Sequence, residues 1–202
     1  MSQSDVIDLQ SLQTMAKVFG SLLYFPLTDS NNQTLIKALS EDEALENSDI
    51  QAWCKTALTE LPEALNQDFF LLFEGGEVML APPWGSVYTD KEEVIFGDST
   101  VAYRQFLREY GIELDTGMRE PEDQIGLMLF AVSQLIEQQQ DVETVKTLLT
   151  EHLLTWCYRY FELVQQHAQT QSYKQLAGLV SLWCEVVQDV LDITPNAVKL
   201  YR

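Results

Sequence analysis

Glu120, Glu122 and Asp123 stand close together in the stretch "REPEDQ". Carboxylates at this spacing could hold and release a proton in general acid–base work, or pair with a cation. Catalysis would also need a nucleophile or an oxyanion site, and nothing beside the motif supplies either. The same acids would be stabilised in the first turn of a helix, by about 0.3–1 kcal/mol each. Other chemistry is sparse. His152 and His167 are far apart, and neither has a second histidine nearby. "DSNNQTLIKALS" (29–40) opens like a calcium loop but lacks Gly at its sixth position and Glu at its twelfth. Neither GxxxxGK[ST] nor GxGxxG occurs, so the usual phosphate cradles are missing. No Ser-His-Asp or Cys-His signature is present. The residues therefore lead us to expect no catalytic group, no metal ligand and no cofactor: a protein that is not an enzyme.

A second stretch, "PPWGSVYTDKEEVIFGDST" (82–100), carries a different chemistry. Pro82 and Pro83 stiffen the backbone ahead of Trp84. Gly85 and Gly97 permit close approach of another chain. Tyr88 and Phe96 add aromatic surface. A stiff loop presenting Trp and Tyr offers large contact area at low entropic cost, as a peptide-binding hot spot requires. The loop could equally fold back as a lid anchored by Trp84. The residues alone leave both open.

The elements that must position these residues read as helices. Leu12, Met15, Phe19, Leu22 and Leu23 predict a helix from about Asp8 to Tyr24, stopped before Pro26. Residues 27–34 read as turn material, 35–39 as a short helix and 50–61 as another. Pro62 opens the next, which runs through "EALNQDFFLLF" and ends at Gly75-Gly76. Asp98 reads as an N-cap ahead of the stripe Tyr103, Phe106, Leu107 and Tyr110. Gly111 and Gly117 bracket a polar loop. Pro121 is expected to start a helix with Ile125, Met128, Leu129, Val132 and Leu135 inward. The turn 138–141 leads into Val142, Val145, Leu149, His152, Leu153 and Trp156, with Phe161 and Val164 continuing. A last helix carries Leu176, Leu179, Val180, Trp183, Val187 and Val190 and ends near Pro195. Only "EEVIF" (92–96) has a strand-like look. The expected fold class is all-α: a single domain over residues 1–202, a bundle of about ten helical pieces.

Composition narrows the partners. The chain has 202 residues, 46% of them hydrophobic, enough for a sizeable core. Asp and Glu number 31 against 12 Lys and Arg, for a net charge of −19. Such a surface repels phosphate backbones and anionic lipid and favours cationic partners, so no nucleic acid is expected. Cys54, Cys157 and Cys184 lie in apolar helical patterns and are expected to be reduced core thiols. No signal peptide and no transmembrane segment is read.

The motifs "DFFLLF" (68–73), "PPWGSVY" (82–88), "FGDST" (96–100), "EPED" (120–123) and "HLLTWCYRYF" (152–161), in this order, are together specific. With them the chain resembles, end to end, the TorD/DmsD family of redox-enzyme maturation chaperones, and within it the DmsD-like (dimethyl sulfoxide reductase) branch. The resemblance implies a TorD-like, all-helical, cytoplasmic chaperone. It would bind the twin-arginine leader of a molybdenum-containing oxidoreductase precursor and delay export until the cofactor is inserted. The partner is then the leader of the catalytic subunit, with the Tat translocase and molybdenum-cofactor delivery proteins as further candidates. The family's peptide-binding positions fall on Leu72, Phe73, Pro83, Trp84, Tyr88, Gly97, Asp123 and Gln124, with Glu122 adding charge beside them. Where the family has Asp-His, this chain has Asp123-Gln124; where many relatives have Pro, it has Thr155. The alternatives are a chaperone gripping the body of its client with little use of the leader, and a non-catalytic helical adaptor.

Overall fold

The structure, a computed structural model, describes residues 9–75, 78–114 and 120–202. Asp8, Gly76 and Gly117 of the expected boundaries lie outside them. The described residues form ten α-helices: α1 (Leu9–Tyr24), α2 (Ser30–Glu41), α3 (Asp49–Thr59), α4 (Pro62–Phe69), α5 (Ser86–Thr89), α6 (Asp98–Glu109), α7 (Ile125–Glu137), α8 (Val142–Thr147), α9 (Cys157–His167) and α10 (Gln171–Leu191). Two π-helical turns, Phe70–Glu74 and Leu148–Leu153, continue α4 and α8. No strand occurs among the described residues; Trp84 and Gln124 make an isolated antiparallel bridge. The fold class is all-α, as expected.

The chain divides into two compact units. The first takes its described residues from Met1–Tyr24, Pro83–Tyr158 and Cys184–Arg202. Its centre is α7, apolar almost all round, with Ile125, Leu127, Met128, Leu129, Val132 and Leu135 all buried. A helix with that pattern must be enclosed by others. Helix α1 lies along it, burying Leu12, Ala16, Phe19 and Leu23. The two backbones approach closely at Gly20 and Gly126. A Cβ on Gly126 would sit 2.7 Å from the Gly20 carbonyl oxygen, so only glycine fits there.

The second unit comprises Phe25–Pro82 and Arg159–Trp183. Trp53, buried on α3, donates its indole N–H to the Ser172 carbonyl at 2.9 Å. The start of α10 is held by two acids. The Asp68 carboxylate accepts from the backbone N–H of Gln169 (3.1 Å) and Thr170 (2.9 Å), and Glu60 accepts from those of Gln171 (2.8 Å) and Ser172 (3.0 Å). Carboxylates at a helix N-terminus satisfy orphan donors and meet the positive end of the dipole.

Several boundaries differ from the sequence expectation. Helix α2 begins at Ser30, inside the expected turn, because Asp29 caps it by accepting from Asn31 N–H at 2.8 Å. Asp98 is the first residue of α6 and Gly97 is the cap. Pro121 does not start a helix. Residues 123–125 instead pair with 83–85, through Gly85 N–H to the Asp123 carbonyl (3.0 Å) and Ile125 N–H to the Pro83 carbonyl (2.8 Å), so α7 waits until Ile125. "EEVIF" forms no strand: Glu93 and Phe96 adopt φ of +51° and +63°, which breaks an extended run and leaves Val94, Ile95 and Phe96 exposed. Helix α10 ends at Leu191, where Asp192 turns the chain with φ +51°. The three cysteines are buried and free of disulfides.

Candidate functional site

One concavity of the first unit is a cleft of about 440 Å³ between α5, α6 and the π-turn after α8. Asp90, Asp98, Asp123 and Glu151 line it with Tyr103 and His152. A π-turn inserts one residue into a helix and re-aims the side chains beyond it. Here it carries Glu151 and His152, and Trp156 follows one turn later.

Asp123 is the best-defined acid. It is 3% exposed. One carboxylate oxygen accepts from the Ser86 N–H (2.7 Å) and the Thr100 hydroxyl (3.0 Å), tying the starts of α5 and α6 together. The other oxygen, Oδ1, is buried and has no partner. Burial pushes its pKa above the ordinary carboxylate value, although the bonds from Ser86 and Thr100 oppose this. The Tyr103 hydroxyl is likewise buried and unpartnered. Burial drives its pKa well up, with Asp123 and Glu122 adding to the rise. Two buried polar groups left open beside one cavity are an exception that calls for a ligand or a specific role.

Glu122 does not share this setting. Burial alone would raise its pKa, but the Arg104 guanidinium, aided by Arg108, brings it below its ordinary value. Arg104 donates through Nε (2.7 Å) and Nη2 (2.6 Å), a two-pronged contact within the chain. Arg104 also lies 5.9 Å from the Phe96 ring centre.

The remaining expected positions are placed as follows. Pro83 is buried and Trp84 half-buried, held by the 83–85 to 123–125 pairing, with the Trp84 indole N–H buried and unpartnered. Tyr88 is fully buried and stacks on Trp156 at 5.2 Å. Gly97 lies against Asp90, whose carboxylate accepts from the Ser99 N–H (3.3 Å) and hydroxyl (2.9 Å) at the start of α6. A Cβ at Gly97 would fall 1.9 Å from that carboxylate, so a side chain there would push Asp90 off Ser99. Gln124 caps α7: its Oε1 accepts from Gly126 and Leu127 N–H, and its Nε2 donates to the Leu23 carbonyl at 3.3 Å. Leu72 and Phe73 belong to the second unit, where both are buried and Phe73 packs against Phe69 (5.2 Å) and Tyr173 (5.5 Å).

Of the nine positions, Asp123 is the one that lines the cleft. Sequence reading placed Tyr103 and His152 on buried helical stripes and picked out neither these nor Glu151 or Asp90 as site residues. The signal for one of these was present: His152 stands one helical turn from Trp156, which also lines the cleft, inside "HLLTWCYRYF". No cluster of His, Cys, Asp and Glu able to hold a metal occurs among the described residues. Among them, too, no helix is long and apolar enough to cross a membrane.

Comparison with known proteins gives the same picture. The family model "Nitrate reductase delta subunit" matches residues 37–162. The Tat proofreading chaperone DmsD of Salmonella typhimurium is 37% identical over 193 residues, covering 93% of this chain and 94% of that protein. The chaperone protein TorD of Vibrio cholerae serotype O1 is 25% identical, covering 79% of each. A crystal structure assigned to a redox enzyme maturation protein of Archaeoglobus fulgidus superposes with a TM-score of 0.59 at 18% identity, covering 89% of this chain and 95% of that one; this likeness concerns the fold. Shared motifs, helix order and near end-to-end similarity converge: the chain belongs to the nitrate reductase delta subunit family, the family of the TorD and DmsD maturation chaperones.

Proposed function

We propose that the protein is a cytoplasmic Tat proofreading chaperone without catalytic activity. It binds the twin-arginine leader of a molybdenum-containing oxidoreductase precursor, of the dimethyl sulfoxide reductase type, and delays export until cofactor insertion is complete. The observation that carries this reading is the acidic cleft with the unpartnered, buried Asp123 Oδ1. A leader arginine entering it would supply donors to that oxygen in a charge-assisted bond, worth about 1.5–3 kcal/mol. Asp90, Asp98 and Glu151 set a negative field around the entrance. Trp84, Tyr88 and Gly97 shape the wall through the pairing, stack and cap described above, and Gln124 fixes α7 behind Asp123. Glu122 contributes only if a leader arginine replaces Arg104. Leu72 and Phe73, buried in the packing of the second unit, present no surface to a leader and act only by supporting that unit's fold.

The test is calorimetric titration with a synthetic twin-arginine leader and with its two-lysine version, against the wild type and Asp123→Asn. Lysine cannot make the planar two-pronged contact. Each change alone should weaken binding, and the two together should be non-additive. Additive effects at Asp123 remove it from the reading, and no binding of either peptide removes the leader. A second reading, grip on the client's body, draws on the exposed Val94, Ile95, Phe96 and Val101; it expects capture of a precursor whose leader has been deleted.

A further inference from the structure

Beyond Leu191 the chain does not leave the first unit. Ile193 N–H closes α10 on the Gln188 carbonyl at 3.0 Å. The following segment is extended. Asn196 N–H donates to the Thr150 carbonyl (2.9 Å), and Tyr201 N–H donates to the Tyr88 carbonyl (2.9 Å). Between these points Val198, Lys199 and Tyr201 line the same cleft as Asp90, Asp98, Asp123 and Glu151. From Ile193 onward the sequence has no acid, and it holds Lys199 and Arg202, two of the 12 basic residues in a chain of net charge −19. Lys199 Nζ lies 4.6 Å from the Tyr201 ring centre. Val198 and Tyr201 remain 45% and 36% exposed.

These features make the segment an extended, cationic, acid-free peptide seated on a carboxylate-lined cleft. Its seating is shallow. Its side chains stay partly in water, unlike the core residues that hold the helices. We propose that residues 196–202 are a built-in competitor for the cleft, which a cationic leader must displace before it can reach Asp123 and Tyr103. The proposal rests on the leader-binding reading above and adds its regulation. A tethered ligand acts at an effective concentration of the millimolar order, so even weak intrinsic affinity keeps it seated. If it is seated nine-tenths of the time, the apparent leader affinity falls about tenfold. A mismatched cationic peptide, unable to reach the buried groups, would then lose to the resident segment.

The experiment compares leader affinity in the full chain, in a chain lacking residues 194–202, and in Tyr201→Pro. Proline has no N–H for the Tyr88 carbonyl and leaves every charge unchanged, so this variant controls for the lost cations and for any folding defect of the deletion. Nuclear magnetic resonance follows the Asn196 and Tyr201 amides of the full chain. The proposal expects both variants to bind the leader about 3–10-fold more tightly, and leader addition to move both amide signals to disordered positions. Equal affinity in all three chains, with the amides unmoved by bound leader, overturns the competitor and leaves leader binding intact. Absence of leader binding in all three overturns the leader reading and the competition with it.

Discussion

Asp123 is where competing forces are most evenly matched. Its carboxylate holds Ser86 and Thr100 in place, yet its second oxygen is buried with nothing to bond. An asparagine can keep the accepting oxygen and point its amide at the vacant side, without a buried charge. Asp123→Asn should therefore fold with undiminished stability at neutral pH, while Asp123→Ala, which strands the Ser86 N–H and Thr100 hydroxyl, should cost about 1–3 kcal/mol. The pH dependence has a definite sign. The folded pKa of Asp123 is raised, so its favourable contribution belongs to low pH and is lost as pH rises through that value. Any advantage of Asn over Asp in thermal melts should shrink on acidification. His152 works the other way. Burial lowers its pKa from 6.5, with Glu151 opposing, so the folded state prefers the neutral ring. Stability tied to it is present above pH 6.5 and lost as pH falls through the lowered value. His152→Gln should flatten the melting-temperature profile on the acid side of neutrality, and an unchanged slope would remove His152 as its source. Sequence patterns show that an acid sits at 123 but not that it is buried, because burial comes from the pairing of 83–85 with 123–125, distant in sequence.

At the scale of elements, apolar periodicity made most helices legible, since the stripes Ile125, Met128, Leu129, Val132 and Leu135 and Tyr103, Phe106 and Leu107 are buried as spaced. Boundaries failed where a tertiary contact overrode a local rule. Pro121 is a good first helical residue, but the backbone ahead of α7 is engaged by the 83–85 segment and stays extended. Asp68 shows the opposite case. It opens the motif "DFFLLF", where nothing local marks it for burial, yet it is 2% exposed and caps α10 from afar. Asp68→Ala should strand the N–H groups of Gln169 and Thr170 and cost about 1–3 kcal/mol. For a chain of this size that lowers the melting temperature by roughly 2–4 °C per kcal/mol. A melt indistinguishable from wild type would mean that water replaces the carboxylate without penalty.

For the molecule as a whole, charge is the property most plainly written in the composition. On the proposed reading, a net charge of −19 would attract a cationic leader over distances that salt screens within about 8–10 Å at physiological ionic strength. Leader affinity should fall as salt rises, chiefly through slower association; calorimetry at low and high salt checks the first and stopped-flow the second. The all-α class and the family were legible because motif order and helical spacing survive in one dimension. The cleft was not, since its walls come from α5, α6, the π-turn and residues 196–202, and no single stretch announces them together.

The order in which the chain passes between the two units has a consequence for biosynthesis. The second unit is complete once Trp183 has been made, whereas the first still awaits Cys184–Arg202. The residues of the second unit are therefore all synthesised before the last residues of the first. The acidic cleft is assembled last, and its resident segment emerges among the final residues of this sequence. A chain truncated after Trp183 should protect the second unit from protease while the first remains sensitive. Equal protection of both at that length would show that the first unit closes without its last segment.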